Sequence, residues 1–425
     1  MQSNIRIIIN EFGPIRNAQI ALAPMMIFTG NSNLGKSYVN YLVYYFLSSF
    51  TENRLNGLIR GKIKENLQEQ AFLLTEDDIR LWLNQNVQDF MCDFLGDSNL
   101  ICDVNFIFKL AEPQLNIICR NVQIHDKSDS GRMDASVYYS ISINGIEVRK
   151  VSSFFPLEET ATSVIQDYLQ MLLFGQQIAK SIILPPARGS FVGENFSFKE
   201  RVAASAGMYR QFLRDYDQGM LSIMGKQSDE FFKSRIKDLT GGELGAEKGN
   251  QYITLPSGLK LSLTAAASSI KELSPLFFYL KNWSNLSLSI CIEEPEAHLH
   301  PDMQIGIADL LAVCLNKRMY IQLTTHSDYF LQRINQLLKI GYIRLHDEEL
   351  YKKIQQEQGL NQRYYIDHTQ VKAYYFCMND RQQVEIIPLE ITEKGIPMST
   401  FFDTVRRLNE RENYLDNLLS EIKQD

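Results

Sequence analysis

GNSNLGKS, from Gly30 to Ser37, is the stretch that decides the fold, because it matches the phosphate-binding pattern GxxxxGKS at every fixed position. The apolar run before it, which ends in MMIFT at 25–29, indicates a buried strand. SYVNYLVYYFL, at 37–47, has helical length and contains no breaker. Strand, glycine turn and helix together let backbone N–H groups and a helix N-terminus surround a phosphate. The sequence therefore predicts a nucleotide-binding loop.

Two side chains of this loop have predicted roles. Lys36 would reach the β- and γ-phosphates and Ser37 would ligate Mg²⁺, so ATP and Mg²⁺ are the expected ligands. The other loop residues expected to bind the nucleotide are Gly30, Asn31, Ser32, Asn33, Leu34 and Gly35. The alternative interpretation is a glycine turn that happens to precede a helix.

The composition is that of a folded protein of 425 residues, with 45% hydrophobic, 11% aromatic and 22% charged residues. This length suits two or three ordinary domains, or one large nucleotide-binding domain with insertions. A net charge of −7 gives no global attraction for nucleic acid or an anionic membrane, so such binding would need a local basic face. Six scattered cysteines without a CxxC pair, an N-terminus unlike a leader and short apolar runs predict a cytoplasmic protein with reduced thiols.

The first 30 residues are read as two strands, IRIIIN at 5–10 and the run ending at Phe28. EFGPIRNAQIALAP, at 11–24, separates them, and its Gly13-Pro14 marks a turn. Strand, FGPI-like turn, strand and phosphate loop together resemble the start of an ABC-type ATPase head of the SMC, RecF and overcoming-lysogenization-defect (OLD) lineage. This resemblance implies an α/β P-loop NTPase of ABC type, with an N-terminal β-rich lobe that covers the nucleotide base.

The middle of the chain predicts insertions into such a head. Charged and amide residues on helical spacing over 51–98 indicate helices, with a capping box at Thr75 and Asp78. Period-two patterns over 100–151, with Asn144-Gly145 as a hairpin turn, indicate a small inserted antiparallel sheet.

Helical patterns return over 157–181 and, after the strand SIILPP, over 198–240. No heptad pattern persists, so a long coiled-coil arm is not expected. We therefore assign 1–425 to a single ATPase head in which 51–240 form inserted helical and antiparallel β subdomains. Residues 345–425 would close the head with a strand pair and a helix from about 399 to 422.

The second half of the predicted active site is LSLSICIEEPEAHLHP, Leu286 to Pro301, an apolar strand that ends in carboxylates. It resembles the EEPExHLHP box of OLD-like ATPases. By that resemblance Glu293 is the Mg²⁺ residue, where most ABC proteins have Asp, and Glu294 activates the attacking water. The alternative is a solvated acidic turn after a strand.

Three histidines lie near this half-site. His326 follows the apolar strand in MYIQLTTHSDYFL and resembles the switch histidine of ABC ATPases, which would donate to the γ-phosphate or to the attacking water. His298 and His300 belong to the EEPExHLHP box, and without a third ligand we interpret them as helix-start and packing residues rather than zinc ligands.

Two segments compete for the ABC signature, which completes a neighbour's ATP site across a dimer. LTGGE, at 239–243, is closer to LSGGQ in its letters, but a hairpin follows it. AASSIKEL, at 266–273, opens a helix about two dozen residues before the acidic strand. We therefore choose Ser268 and Ser269, whose hydroxyls and N–H groups could cap a γ-phosphate. An ordinary serine N-cap remains the alternative.

LPPARG, at 184–189, resembles the LPAER segment of OLD-like ATPases. Arg188 would contact phosphate or couple the lobes, or would form a structural ion pair. No residue identifies itself as the glutamine of the ABC Q-loop. The C-terminal 80 residues show no DxD pair of the kind that a Toprim nuclease needs, so any cleavage would come from a partner.

The resemblance to ABC-type heads implies an ATPase in which two heads sandwich two ATP molecules and hydrolysis releases the clamp. The resemblance extends to ATPase subunits of antiphage defence systems such as Septu and PARIS, which implies a homodimer or higher oligomer, a separate effector such as a nuclease, possible DNA and no membrane. The alternatives are a slow-turnover ATP-dependent scaffold and a RecF-like DNA repair ATPase.

A set of basic residues within segments of helical pattern offers a possible DNA face: Lys199, Arg201, Arg210, Arg214, Lys233, Arg235 and Lys237. Interspersed acidic residues favour a solvated helix surface.

Overall fold

A computed structural model describes residues 5–52, 54–63, 69–127, 133–152, 156–192, 207–221, 229–247, 250–397 and 406–416. Over these ranges the chain combines one large mixed sheet with helices and two small antiparallel sheets, which confirms the α/β class. The predicted helical stretch at 198–206, with Lys199 and Arg201, lies outside the described residues.

The elements follow one another in mixed α/β order. The strands are β1 (Arg6–Phe12), β2 (Ile15–Ala21), β3 (Met25–Gly30), β4 (Glu69–Thr75), β5 (Cys102–Ile107), β6 (Gln114–Lys127), β7 (Met133–Ile143), β8 (Ile146–Ser152), β9 (Lys180–Leu184), β10 (Glu243–Glu247), β11 (Asn250–Thr254), β12 (Lys260–Ser262), β13 (Leu288–Glu293), β14 (Tyr320–Thr324), β15 (Val371–Met378) and β16 (Val384–Leu389). The α-helices are α1 (Lys36–Ser49), α2 (Asn56–Arg60), α3 (Glu76–Leu95), α4 (Leu157–Phe174), α5 (Gly207–Gly219), α6 (Glu230–Thr240), α7 (Ser268–Trp283), α8 (Pro301–Asn316), α9 (Asp328–His346), α10 (Glu348–Gln358) and α11 (406–416).

The strand that leads into the phosphate loop, β3, lies inside the large sheet, whose order is β5-β1-β2-β16-β15-β3-β14-β13-β9. Strands β15, β3, β14, β13 and β9 are mutually parallel. The register places Glu293 beside Thr324, and Thr324 beside Phe28. Since the carboxyl ends of these strands lie level, the residues that follow them meet at one edge, where ligands bind in open α/β sheets.

The other end of the large sheet is the β-rich lobe that the sequence predicts at the N-terminus, but the prediction of two strands over 5–30 is wrong because β2 forms a third strand within 11–24. There β1 pairs antiparallel with both β2 and β5. This lobe joins the parallel half through β16, which pairs antiparallel with β15 and meets β2 only at Val384 and Ile15. The C-terminal strand pair thus lies between the N-terminal lobe and the phosphate loop.

An inserted antiparallel sheet is present, in the order β4-β6-β7-β8, but two predictions about it are wrong: it contains one strand predicted as a helix and lacks one strand predicted to belong to it. Residues 69–75 form strand β4 rather than a helix, because Gln70 and Leu74 are buried on one face while the strand pairs with β6. Strand pairing here overrides helical spacing. NFIFKL lies in and after β5, which joins the large sheet at its edge, since Val104 and Phe106 are buried beside β1.

Two local predictions within the insertion are confirmed. Thr75 Oγ1 accepts from the N–H of Asp78 at 3.1 Å, while Asp78 accepts from the N–H of Thr75 at 2.9 Å, which completes the capping box of α3. Asn144 and Gly145, with φ of 52° and 81°, form the tight turn between β7 and β8.

Aromatic packing fixes the insertion against helix α1. Phe90 of α3 stacks on Phe94, which in turn stacks on Tyr44 of α1. Phe46 of α1 stacks on Phe106 of β5 with centroids 5.5 Å apart. Because Tyr44, Phe46, Phe94 and Phe106 are buried, the helix that follows the phosphate loop is held from its outer side as well as by the sheet.

The last described helix, α11, falls within the stretch 399–422 that the sequence predicts as helical, and the rest of that stretch lies outside the described residues. No helix among the described residues has both the length and the apolarity that crossing a bilayer requires. All six cysteines are free thiols, as predicted.

The packing of β15 against the phosphate loop leads to a stability prediction. A Cβ on Gly30 would overlap the carbonyl oxygen of Phe376, whereas a Cβ on Gly359, which also has positive φ, would meet nothing within 4 Å. Gly359→Ala should therefore lower the free energy of unfolding by about 1 kcal/mol, the cost of left-handed backbone alone. Gly30→Ala should lower it by roughly 3 kcal/mol or more, because overpacking adds to that cost.

Urea unfolding of the nucleotide-free protein measures both changes. Equal losses of stability in the two variants would show that β15 does not constrain the loop.

Candidate nucleotide-binding site

The phosphate loop is a turn compressed between two strands. Gly30 has φ +116° and lies against the backbone of Phe376 in β15, whose carbonyl oxygen accepts from the N–H of Asn31 at 2.9 Å. Gly35, with φ +86°, begins helix α1, and a Cβ there would lie 2.9 Å from the Ile15 side chain of β2. Both glycines of the motif are thus required by backbone angle and by space.

Lys36 is nearly buried and folds back onto its own loop. Its Nζ donates to the carbonyl oxygens of Asn31 at 2.6 Å and Gly30 at 3.3 Å. Desolvation lowers the pKa of Lys36, while the carboxylates of Glu293 and Glu294 oppose the shift. An ammonium partly stripped of water and bound only to carbonyl oxygens is well placed to exchange them for phosphate oxygens.

Glu293, at the end of β13, is the most heavily hydrogen-bonded side chain of the site. Its Oε2 accepts from Ser37 Oγ at 2.6 Å and from Thr324 Oγ1 at 2.8 Å, and its Oε1 accepts from Asn40 Nδ2 at 2.7 Å. Burial raises the pKa of Glu293, and these three hydrogen bonds only partly oppose the shift. The carboxylate therefore joins helix α1, which contributes Ser37 and Asn40, to strands β13 and β14.

The donors at this point fit a hard cation such as Mg²⁺. Ser37 donates its hydroxyl proton to Glu293, so its oxygen lone pairs remain available to an ion, and both Glu293 oxygens already have donors. Ser37 would therefore be the direct ligand, and Glu293 would orient Ser37 and the water molecules around the ion. Bound there, the ion would neutralise charge on the phosphates. The described residues contain no cluster of three or more His, Cys, Asp or Glu that could hold a metal by itself.

A cavity of about 480 Å³ brings the predicted catalytic and phosphate-binding side chains together. Lys36 and Ser37 of the phosphate loop line it together with Glu294 and His326, which follow β13 and β14. Its remaining described lining is Pro14, Ser32, Asn33, Gly35, Tyr38 and Thr324. If the carboxylates after β13 formed only a solvated acidic turn, Glu294 and His326 would not need to line the same cavity, because they follow different strands.

Glu294 and His326 reach the cavity in different ways. Glu294 is exposed and has the left-handed φ of +44°, while its N–H donates to the carbonyl oxygen of Thr324 at 3.1 Å. Such a backbone angle in a non-glycine residue is costly and is concentrated at functional sites. Partial desolvation, and then the nearby Lys36 ammonium, lower the pKa of His326. Its imidazole is therefore neutral near pH 7, with one N–H to donate.

Glu296 is a site residue to which sequence reasoning gave no separate role. Its Oε1 accepts from the backbone N–H of His326 at 2.7 Å and from Thr325 Oγ1 at 2.7 Å, which fixes the turn that presents His326. Burial raises the pKa of Glu296, and these two hydrogen bonds partly oppose the shift. The sequence around Glu296 does not indicate this role, because its hydrogen-bond partners lie about 30 residues downstream. His300, by contrast, caps helix α8 as expected.

The two signature candidates differ sharply in structure. LTGGE ends a helix: Thr240 is the last residue of α6, and Gly241 forms its left-handed C-cap. Helix α7 begins at Ser268, as the choice of AASSIKEL requires, and its N-cap is Ala267 rather than a serine. Ser268 is exposed and Ser269 is half-buried. Neither lines the cavity that holds Lys36, so one chain does not bring them to its own phosphate loop.

Pro275 interrupts α7, and the helix compensates locally. Pro275 has no N–H for the carbonyl oxygen of Lys271, four residues earlier, and Ser274 Oγ donates to that oxygen at 3.1 Å instead. Arg188 is fully buried and does not line the cavity, so it does not reach the phosphate site in this conformation. The Q-loop glutamine stays unassigned.

Comparison with known proteins identifies an ATPase segment. Residues 202–331 match a sequence family described as AAA ATPase domain, which is less than a third of the chain and includes Ser268, Glu294 and His326 but not the phosphate loop. This match supports an ATPase, in agreement with the loop and the α/β fold. No protein of curated function gave a match. The OLD-like assignment stays a prediction.

Among solved structures, the chain is similar to three SMC heads. An SMC head domain from Thermotoga maritima is 13% identical, with a TM-score of 0.35 over 92% of this chain and 100% of that one. An SmcHead bound to the C-winged helix domain of ScpA is 12% identical, with a TM-score of 0.39 over 92% and 99%. An Smc head with an extended coiled coil, bound to the C-terminal domain of ScpA derived from Pyrococcus furiosus, is 11% identical, with a TM-score of 0.38 over 96% and 99%. Because these TM-scores are low, we base the description of the fold on the strand order and not on these similarities.

The Glu296 contacts lead to a prediction about pH and stability. Because the folded-state pKa of Glu296 is raised, its contribution to stability should fall as pH rises from the ordinary glutamate pKa through the raised one. Glu296→Gln should remove this part of the pH dependence and, since an amide oxygen can accept the same two bonds, should keep stability at pH 7 within about 1 kcal/mol of wild type. Glu296→Ala should lose about 1–3 kcal/mol, because the N–H of His326 and the Thr325 hydroxyl are left without an acceptor.

Denaturant unfolding of the three proteins at pH 5 and pH 8 measures both effects. An unchanged pH profile in Glu296→Gln, or an Ala variant as stable as the Gln variant, would contradict this account of Glu296.

Proposed function

We propose that the chain is an ATP-hydrolysing switch that works as a dimer, with two copies enclosing two Mg²⁺–ATP molecules. The observation that carries the proposal is the cavity in which Lys36, Ser37, Glu294 and His326 meet although three different strands deliver them. Phosphoryl transfer to water needs positioned phosphates, charge neutralisation and an acceptor for the water proton, and these side chains meet those needs.

In the proposed reaction, a water oxygen attacks the γ-phosphorus while the bond to the β–γ bridging oxygen breaks. Glu294 accepts the proton that the water loses, and His326 donates a hydrogen bond to the γ-phosphate or orients the water. Lys36 holds the β- and γ-phosphates as negative charge moves to the bridging oxygen. The products are ADP and inorganic phosphate.

The dimer is proposed because no described residue of α7 lines the cavity that holds Lys36. Its described lining includes side-chain donors from several segments but none from α7: Ser32, Asn33, Lys36, Ser37, Tyr38, Thr324 and His326. The exposed start of α7 carries Ser268 and Ser269, with helix N-terminal N–H groups that fit a phosphate. A second copy could present this surface to the cavity, and hydrolysis would then release it.

The biological role is a further part of the proposal, and it rests on the sequence resemblance alone. We propose that the switch responds to a nucleic acid or protein trigger and controls a partner effector in antiphage defence. The RecF-like alternative is weakened because three described members of the basic set form ion pairs: Arg210 with Asp93 at 2.6 Å, Lys233 with Glu230 at 2.6 Å and Arg235 with Asp309 at 3.9 Å. Such pairs leave less charge for DNA phosphates.

Glu294→Gln separates the switch from the alternative of a scaffold in which turnover is incidental. Its carboxylate is the proposed proton acceptor but makes no contact needed to bind phosphate, so hydrolysis should fall by at least about 100-fold while Mg²⁺–ATP binding persists. ATP should then accumulate a stable dimer. Phosphate release and light scattering measure the two effects, and Lys36→Met serves as the control that should lose binding, dimer and hydrolysis together.

Wild-type turnover retained in Glu294→Gln would remove Glu294 from the chemistry. A dimer that forms equally well without nucleotide would contradict the switch and favour the scaffold.

A further inference from the structure

Arg188 is buried among backbone carbonyl oxygens that come from three segments of the chain. Its Nε donates to the carbonyl oxygen of Glu272 at 2.8 Å, and its Nη1 donates to those of Glu293 at 2.7 Å and Pro185 at 3.2 Å. Its Nη2 lies 3.5 Å from the carbonyl oxygen of Glu294. One guanidinium thus holds the end of the acidic strand and the first turns of α7 at the same time.

The acceptors of Arg188 belong to two different parts of the proposed ATP site. Glu272 lies three residues after Ser269, within the first turns of the helix whose start is proposed to reach a neighbour's phosphate. Glu293 and Glu294 carry the Mg²⁺ and water-activating roles. A displacement of either group of residues must therefore stretch hydrogen bonds to Arg188, because a planar guanidinium keeps its donors in a fixed fork.

The surroundings leave Arg188 little freedom. It is 1% exposed, and the Glu272 carboxylate lies 3.5 Å from Nε as its nearest ionic partner. Ala187 before it has φ +53°, a left-handed angle that is unusual for alanine, and a Cβ on Gly189 after it would lie 2.8 Å from the Glu272 carboxylate. Burying a guanidinium costs free energy, and an apolar side chain would fill the space at a lower cost, so a purely space-filling role does not account for it.

We propose that Arg188 is a positioning residue that couples nucleotide binding at the Lys36 cavity to the position of the α7 N-terminus. The coupling runs from Glu293 and Glu294, through the guanidinium, to the Glu272 carbonyl oxygen. It rests on the proposed function, since it gives the cavity a means to present Ser268 and Ser269 to a second copy only when nucleotide is bound. Arg188 itself touches neither phosphate nor water.

The test uses the full chain with Arg188→Met, which keeps the length of the side chain but removes every donor, and Arg188→Lys, which keeps the charge but not the fork. Arg333→Met is the matched control, because Arg333 forms a similarly shielded pair with Asp309 at 2.7 Å, away from the cavity. Hydrogen exchange of the peptide 268–276 is measured with and without a slowly hydrolysed Mg²⁺–ATP analogue, at concentrations where light scattering shows monomer. The Kd of the analogue and the kcat and KM for ATP are measured in parallel.

In wild type and in Arg333→Met, nucleotide should change the exchange rate of 268–276 by severalfold. In both Arg188 variants that change should disappear and kcat should fall at least tenfold, while Kd and KM stay within about threefold of wild type. Loss of stability alone would lower thermal midpoints in all three variants without this split between binding and turnover.

The proposal is overturned if either folded Arg188 variant keeps the exchange response, if wild type shows no response, or if Kd rises in step with the loss of kcat. Failure of the proposed function gives a different pattern. A wild type that binds the analogue and shows the exchange response but does not hydrolyse ATP would remove the ATPase and leave the coupling in place.

Discussion

The hydrogen bonds to the buried carboxylate of Glu293 are the constraint on which the site depends. Ser37 and Asn40 of α1 and Thr324 of β14 donate to one side chain at 2.6–2.8 Å. A buried carboxylate must find such donors, because desolvation otherwise drives it towards its neutral form. Meeting that requirement fixes the phosphate loop helix, the acidic strand and the strand that presents His326 in one arrangement.

This arrangement explains why the site forms at the carboxyl edge of the sheet. In parallel strands with level ends, Glu293 and Thr324 are neighbours in register, and the chain leaves the sheet after each of them. Glu294 reverses with a left-handed angle, while the turn after Thr324 is held by the Glu296 carboxylate. The backbone that presents Glu294 is therefore strained, and the backbone that presents His326 is held by hydrogen bonds. The packed sheet to which both segments are attached offsets the free-energy cost of the strained angle.

Much of this could be predicted from the sequence, because the decisive motifs are local. GNSNLGKS and the acidic strand end each lie within sixteen residues, and their strand and helix contexts follow from hydrophobic periodicity. The errors and omissions are long-range. The prediction of a helix at β4 is wrong because only the pairing with β6 reveals the period of the strand, and the hydrogen bond between Asn40 and Glu293 spans 253 residues. Likewise, the sequence does not indicate the partners of Arg188, because they are backbone carbonyl oxygens, which every residue has.

We propose that a single chain supplies part of an ATP site and that a second copy supplies the rest through the start of α7. Covalent capture tests it most directly. Chains with Ser268→Cys and differently tagged chains with Asn33→Cys, which lies on the cavity rim, are mixed with a slowly hydrolysed Mg²⁺–ATP analogue and a short bifunctional maleimide. The half-exposed native Cys92 and Cys377 set the background in unsubstituted chains. We expect a cross-linked pair, with one chain of each kind, that forms only when nucleotide is present. A yield at background level, or an equal yield without nucleotide, would rule out the shared site.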